Sequence, residues 1–242
     1  MRSIPSFFQA RSLALALGAG LMFAAATAAD NTTSTSTPAK DDALAAAKKL
    51  AAQPNYSWRS TVVVPENAQF KPGPTEGKTE KDGFTQLTLH FGDNTTEAVL
   101  KGDKGAAPNS DGDWKLASEL EDSEGPGRFL GRMMRFFKTP AAQAVDLVSA
   151  TKDLKKDGDI LSGDLTDEGA KAQFRFGQPK NPKGSVKFWT KDGQLTKFEV
   201  KVQAKVEFNG EERDSERTTT TEIKDVGTTK LTVPDAAAKK LQ

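Results

Sequence analysis

The side chains able to do chemistry are few in this chain of 242 residues, which contains one histidine and no cysteine. His90 alternates with Leu89 and Phe91, so we expect it on the solvent face of a strand. A lone histidine lacks the second and third positioned groups that acid–base catalysis or a metal site requires. The absence of cysteine excludes thiol nucleophiles and Cys/His zinc sites. No G-x-S-x-G motif of serine hydrolases occurs either.

Four aspartates crowd one short span, at Asp153, Asp157, Asp159 and Asp164. Their spacing lacks the D-x-D-x-D-G order of a calcium-binding loop. We interpret them as solvated acids of turns. The sequence therefore predicts a non-catalytic protein without a metal or other cofactor.

The most unusual segment is 128–138, which is rich in methionine, phenylalanine and arginine. Arg128, Arg132 and Arg135 recur at i, i+4 and i+7, which places them in one stripe of a helix. The large apolar residues of the segment are Phe129, Leu130, Met133, Met134, Phe136 and Phe137. A helix with so broad an apolar arc must be buried against an apolar surface.

Three interpretations of this helix stay open. It packs on a sheet as a core helix with a solvated arginine stripe. Alternatively, it is a lid over an apolar groove, since Met and Phe adapt to irregular guests, and Gly125–Gly127 would let the lid move. In the third interpretation the arginine stripe meets anionic lipid head groups.

The element that must position this helix is a long strand at Thr196–Phe208. Its even-numbered residues Phe198, Val200, Val202 and Val206 alternate with charged or polar neighbours. Strict alternation predicts an antiparallel strand with one apolar face and one face in water. We expect the helix at 128–138 to cover this apolar face.

The remaining pattern predicts about eight strands, several joined by two-residue turns such as Asp192-Gly193. Helices group at the start, in the middle and at the end, with caps at Asp41 or Asp42, Thr139, Thr166 and Asp235. Segregated strands and helices indicate an α+β fold. The Thr-rich strand Arg213–Lys224 has little apolar content and is predicted to be an edge.

The N-terminus has the pattern of a secretory signal peptide over residues 1–28. Basic residues precede the short apolar run Leu13–Phe23, and Ala26-Thr27-Ala28 is a small-x-small cleavage site. Residues 29–40 are a Thr/Ser-rich tract predicted to be a disordered leader, and 41–242 a single domain. We thus expect an exported periplasmic or secreted protein, not lipid-anchored because no cysteine is available.

Charge gives no sign of a nucleic-acid partner. The formal net charge is +1 for the whole chain, and it falls to −1 without the two arginines of residues 1–28. Nucleic-acid binding proteins instead carry a pronounced basic patch.

Two segments carry a resemblance to a known family: the first predicted strand opens with Tyr56-Ser57-Trp58, and a predicted hairpin follows at Val186–Leu195. They resemble the periplasmic lipoprotein-carrier superfamily, which includes the lipoprotein localisation factors and shows a W-x-x-x-x-G-x-P/L pattern around such a hairpin. The order of helix, antiparallel meander, central helices and long hairpins is similar as well. This resemblance implies a strongly curved antiparallel sheet, or half-barrel, with helices on its concave apolar face and room for acyl chains.

These observations favour an exported protein that binds or carries a hydrophobic ligand, such as a lipid or an acyl chain. An anionic membrane surface is a further expected partner, through Arg128, Arg132 and Arg135. The alternative is an exported structural or interaction module that uses its polar sheet face and the strand 213–224. The predicted ligand-binding residues are Leu87, Leu89, Phe129, Leu130, Met133, Met134, Phe137, Phe198, Val200, Val202 and Val206.

Overall fold

The computed structural model describes residues 37–68, 71–174, 178–208 and 210–242. The predicted signal peptide at 1–28 and residues 29–36 of the predicted leader lie outside the described residues. The strands are β1 Asn55–Val63, β2 Thr75–Glu80, β3 Phe84–Phe91, β4 Asn94–Lys101, β5 Lys104–Pro108, β6 Trp114–Leu116, β7 Lys155–Asp157, β8 Ile160–Asp164, β9 Pro179–Lys191, β10 Gln194–Phe208 and β11 Glu211–Lys224. The helices are α1 Pro38–Ala51, α2 Ala117–Glu121, α3 Pro126–Arg135, α4 Pro140–Ser149, α5 Asp167–Ala172 and α6 Asp235–Lys240.

All these strands join one antiparallel sheet, in the order β6-β5-β4-β3-β2-β1-β11-β10-β9-β8-β7. Two meanders, β1 to β6 and β7 to β11, meet where β1 pairs with β11. The sheet is not closed into a barrel, and its two outer strands have three residues each. The predicted α+β class with an antiparallel sheet is confirmed.

The Thr-rich strand β11 lies in the middle of the sheet, so its predicted edge position is wrong. It pairs with β10 along one side and with β1 along the other. Threonine fits a pleated surface well whatever its polarity. Both hydrogen-bonding edges are used along residues 218–222, so β-augmentation is not available there, whereas among the described strands residues 211–217 pair with β10 alone.

Alternation divides the sheet into two faces. We define the inner face by the buried residues Tyr56 and Trp58 of β1 and the residues in register with them. Across the pairing, Trp58 faces Gly77 on β2 and Ile223 on β11. The predicted long strand is confirmed as β10, whose inner face carries Phe198, Val200 and Val202, all at most 7 % exposed.

The helices divide between the two ends of the inner face. α2 and α3 pack over β5, whereas α1 packs over β10 and α5 over β9. α4 lies against α1. The predicted pairing of the Met/Phe helix with the long strand is thus wrong, because the alanine-rich helix α1 occupies that position with Ala43, Ala46, Ala47 and Leu50.

Helix α6 departs from the expectation that helices lie on one face only. Its Ala237 and the following Leu241 pack with Val99 and Ala106, which point away from the inner face. This small second cluster covers the outer face beneath β4 and β5. The terminal helix therefore fixes the end of the sheet on which α2 and α3 rest.

Two of the four predicted helix caps are confirmed. The hydroxyl groups of Thr139 and Thr166 accept the backbone N–H groups of Ala142 and Gly169. α1 instead begins at Pro38, and α6 follows Pro234. Proline presets a helical φ at the first helical position, so helix α1 starts inside the predicted leader, before Asp41 and Asp42.

Trp58 owes its position to a glycine on the neighbouring strand. A Cβ added at Gly77 would lie 2.2 Å from two ring atoms of Trp58. We expect Gly77→Ala to lower the free energy of unfolding by about 1–3 kcal/mol, because the ring has to leave its place. Urea unfolding followed by circular dichroism measures this change.

A double-mutant cycle supplies the control for this steric effect. With Trp58→Leu in the background, the same Gly77→Ala change should cost much less, since the clashing ring is gone. An equal cost in both backgrounds would contradict the proposed clash.

Candidate ligand-binding surface

Helix α3 is a core helix that rests directly on the sheet. Leu130 and Met134 are at most 7 % exposed. Gly105 lies beneath Met134, and a Cβ there would come within 3.0 Å of the methionine Cβ. The predicted lid and the sheet below it are therefore in contact along this line.

α3 is also held tightly to α2. A Cβ added at Gly131 would lie 2.5 Å from the carbonyl oxygen of Ala117 and 2.8 Å from the backbone nitrogen of Glu121. The guanidinium of Arg135 forms an ion pair of 2.9 Å with the Glu121 carboxylate. The two helices therefore form one packed unit, and a hinge at Gly125, which lies between them, would have to break these contacts.

The aromatic residues of α3 and the following loop form a rim around the inner face. Phe129 contacts Phe91 edge to face, with ring centroids 6.0 Å apart. Phe137 stacks on Trp58 at the same centroid distance. We call Phe91, Phe129, Met133 and Phe137 the aromatic rim.

The loop that carries Phe137 is anchored by the start of α4. The Tyr56 hydroxyl, buried on the inner face, accepts the backbone N–H of Ala141 at 3.5 Å. Burial raises the pKa of Tyr56, an effect that hydrogen bonds with Thr139, Ala141 and Thr79 only partly oppose. Tyr56 therefore stays neutral at physiological pH and serves as a polar anchor between sheet and helix.

Beyond the Trp58–Phe137 stack, the inner face is less completely covered. Ser60 and Val62 of β1, Thr75 of β2 and Thr219 of β11 are all half-buried, although they lie in the middle of the sheet. Register places Ser60 beside Thr75 and Val62 beside Thr219. We call these four residues the open inner stretch.

The aromatic rim borders this stretch on one side. Phe91 lies two residues after Leu89 on β3, and Leu89 pairs with Thr75 of β2. Since β2 pairs with β1, the rim begins two strands away from β1. On the other side, Arg217 of β11 lies 5.2 Å from the ring of Phe174 and donates a hydrogen bond to the Gln173 carbonyl. The open inner stretch is thus flanked by aromatic side chains from both helical groups.

The predicted site residues fall into two classes. Phe129, Met133, Phe137 and Val206 are exposed or half-buried, and the first three form part of the rim. The remaining predicted residues are buried in the main core and are Leu87, Leu89, Leu130, Met134, Phe198, Val200 and Val202. The structure does not bring α3 onto the β10 residues.

Sequence reasoning missed the open inner stretch itself. The signal was present in β1, where Ser60 takes the inner-face position after Tyr56 and Trp58. Thr219 and Thr221 similarly point inward from β11. The apolar cover thins at Ser60, Thr75 and Thr219, whereas Thr221 beside Ser60 stays buried.

Two open grooves, of about 390 and 410 Å³, lie along the strands β8, β9 and β10. Lys152, Asp164 and Ser185 line both of them. These walls are largely charged and polar, so the grooves do not suit an acyl chain.

Among the described residues no cluster of three His, Cys, Asp or Glu side chains is arranged to hold a metal ion. The described helices also include none with the length and hydrophobicity of a membrane span.

Comparisons with known proteins find similarity at the level of structure. No protein-family model matches the chain, and no curated protein matches it. The lipoprotein LppX of Mycobacterium tuberculosis is 11 % identical, with a TM-score of 0.44 over 79 % of this chain and 98 % of LppX. LprF from Mycobacterium bovis is 10 % identical, with the same TM-score over 82 % of this chain and 97 % of LprF.

A third similar structure is a putative outer membrane lipoprotein-sorting protein domain from Vibrio parahaemolyticus. It is 11 % identical, with a TM-score of 0.31 over 77 % of this chain and 92 % of that domain. The three structures are proteins to which this chain is similar at 10–11 % identity, and nothing further is inferred from them.

The close contact between α2 and α3 yields a stability prediction. Gly131→Ala should destabilise the protein by about 1–3 kcal/mol, because the added methyl group meets backbone atoms that cannot rotate away. Gly127→Ala in the same helix is the matched control, since its nearest obstacle is the Ser123 hydroxyl. Equal urea midpoints for the two variants would contradict the tight α2–α3 contact.

The start of α2 yields a pH prediction. The Glu119 carboxylate accepts the Leu116 backbone N–H at 2.6 Å, and this bond lowers the pKa of Glu119 below its usual 4.5, with help from Lys240. A lowered folded-state pKa contributes stability that is present above pH 4.5 and lost as the pH falls through the folded value. Glu119→Gln should therefore reduce the urea midpoint near neutral pH, and the difference should vanish in acid.

The control for this titration is Glu124→Gln, which removes an exposed charge from the α2–α3 loop. It should leave the acid dependence of the urea midpoint close to that of the unmodified protein. A difference between the protein and Glu119→Gln that stays constant from neutral to acid pH would show that the Glu119 charge does not matter.

Proposed function

We propose that the protein is an exported, non-catalytic binder of a hydrophobic ligand, a lipid or an acyl chain, that lies along the open inner stretch. The observation that carries the proposal is the half-buried middle of an otherwise buried inner face. Export is part of the proposal because residues 1–28 have the signal-peptide pattern. Binding rather than catalysis is supported by the lack of a catalytic constellation in the sequence.

An apolar chain would gain enough free energy from this surface to bind. Removing a methylene from water is worth about 0.8 kcal/mol, so ten methylenes would contribute roughly 8 kcal/mol before the cost of ordering the chain. The open inner stretch crosses three neighbouring strands, β2, β1 and β11, which are spaced by about 4.8 Å. An acyl chain laid across them would contact the aromatic rim at one end.

Two hydroxyl groups at the open inner stretch, those of Ser60 and the adjacent Thr221, are already satisfied. Ser60 and Thr221 form a hydrogen bond of 2.6 Å with one another across the β1–β11 pair. Thr221 is 1 % exposed, so no water reaches its hydroxyl. Because a paired hydroxyl demands no hydrogen bond from the guest, an apolar ligand can cover this part of the sheet at little desolvation cost.

The aromatic rim supplies an adaptable wall for the ligand. Met133 is flexible and polarisable, which suits it to irregular apolar guests. Phe129 is 43 % exposed and would lose part of this area to a bound chain. The buried residues Leu89, Val200 and Val202 would then shape the floor from below, and Val206 would extend it along β10.

A charge placed on the open inner stretch tests the proposal. Val62→Arg points a guanidinium into the proposed path of the ligand, and desolvating it would be costly. We expect at least about tenfold weaker binding of a fluorescent fatty acid, and loss of any co-purifying lipid in native mass spectrometry.

Val63→Arg is the matched control, because Val63 is the next residue of β1, points to the outer face and is 66 % exposed. Binding by this variant should equal that of the unmodified protein. If both variants bind the fatty acid equally well, or the unmodified protein neither binds it nor carries lipid, the proposed function is wrong.

A further inference from the structure

Two large aromatic rings are exposed on the outward side of α3, one from Phe129 in the helix and one from Phe136, the C-cap residue directly after it. Phe129 and Phe136 are 43 % and 60 % exposed, and Val63 is the other large apolar side chain so exposed among the described residues. Seven positions separate the two phenylalanines, which puts them on the same side of the helix about 10 Å apart. Arg132 lies between them and is exposed as well. We call Phe129, Arg132 and Phe136 the outer face of α3.

Four basic residues surround this face, and two of them are paired with acids. From Pro126 to Thr139 the chain has four basic residues and no acidic one. Arg135 pairs with Glu121 on the α2 side, and Lys138 pairs with Asp146 on α4. Arg132 makes no ion pair with any residue that the structure describes. The nearby acids Asp122 and Glu124 lie at the N-terminal end of the helix.

We propose that the outer face of α3 docks the protein on an anionic lipid bilayer, with Phe129 and Phe136 inserted at the interface and Arg132 and Arg135 among the head groups. Exposed aromatic rings with interspersed arginines are the pattern of helices that lie in a membrane interface. Charge complementarity selects an anionic bilayer, because the exposed Arg132, which makes no ion pair with a described residue, lies between the two inserted rings.

The position of this face relative to the ligand surface strengthens the assignment. Phe129 belongs both to the outer face of α3 and to the aromatic rim, through its contact with Phe91. Phe137, next to Phe136, stacks on Trp58 at the start of the open inner stretch. A bilayer bound at the outer face of α3 would therefore lie next to the rim of the ligand surface.

Vesicle sedimentation tests the docking. The purified protein is mixed with vesicles of phosphatidylcholine alone or with about 30 % phosphatidylglycerol. We expect binding to the anionic vesicles and at least about tenfold weaker binding to the neutral ones or at high salt. The double variant Phe129→Ser/Phe136→Ser should weaken binding by at least about tenfold, and Arg132→Gln by a few fold.

Val63→Ser is the matched control, because it removes an equally exposed apolar side chain from another surface. It should bind anionic vesicles like the unmodified protein, and urea midpoints establish that all variants are folded. Equal binding by the double phenylalanine variant, or no binding of the unmodified protein to anionic vesicles, would overturn the proposal.

Two further measurements distinguish bilayer docking from ligand binding and from dimerisation. Val62→Arg should keep full vesicle binding, so a failure of the ligand proposal leaves the docking proposal standing. Sedimentation velocity without lipid measures whether the protein dimerises through Phe136. Dimerisation that depends on Phe136, together with no vesicle binding, would assign the outer face of α3 to a second copy of the chain. That result would overturn the proposed bilayer docking.

Discussion

The pairing of β1 with β11 is the constraint on which the rest of the structure depends. It joins the first described strand to the last and turns two separate meanders into one sheet. Its register is fixed at one end by the hydrogen bond of Ser57 to the Asp225 carboxylate, and by the Gly227 N–H that donates to the Asn55 carbonyl. Because a slip of one residue would turn the inner-face side chains outward, these bonds also keep Trp58 and Ile223 in the core.

The same pairing explains why the cover of the sheet is divided. Helices α2, α3 and α4 connect the two meanders between β6 and β7, and α2 and α3 stay near β5 and β6, which lead into them. Helix α1 precedes β1 and packs over β10, in the other meander. The middle strands β1, β2 and β11 receive side chains such as Phe137, while the helices pack mainly at the two ends. A thinner cover over the central strands is therefore a consequence of the topology, and it coincides with the inward-facing hydroxyl groups.

The sequence predicted the elements well where local chemistry decides them. The alternation of Phe198 to Val206 defined β10, and the positive φ angles of Asp192 and Gly193 match the two-residue turn expected there. It failed where the choice was between partners far apart in the chain. The helix at 128–138 was expected to cover β10, but α1 covers it, and nothing local in Leu50 or Met134 tells which sheet position each helix will take.

The misplacement of β11 has the same origin and bears on the candidate site. A polar strand was assigned to an edge because central strands usually bury both faces or one apolar face. In this sheet the inward hydroxyls of Thr221 and Ser60 satisfy one another, so a central position costs no unpaired polar group. A fully apolar inner face would have favoured closure by a helix. The Ser60–Thr221 pair instead lets the inner face pass from the fully buried Thr221 to the half-buried Ser60 without an unpaired polar group, which suits the ligand surface proposed above.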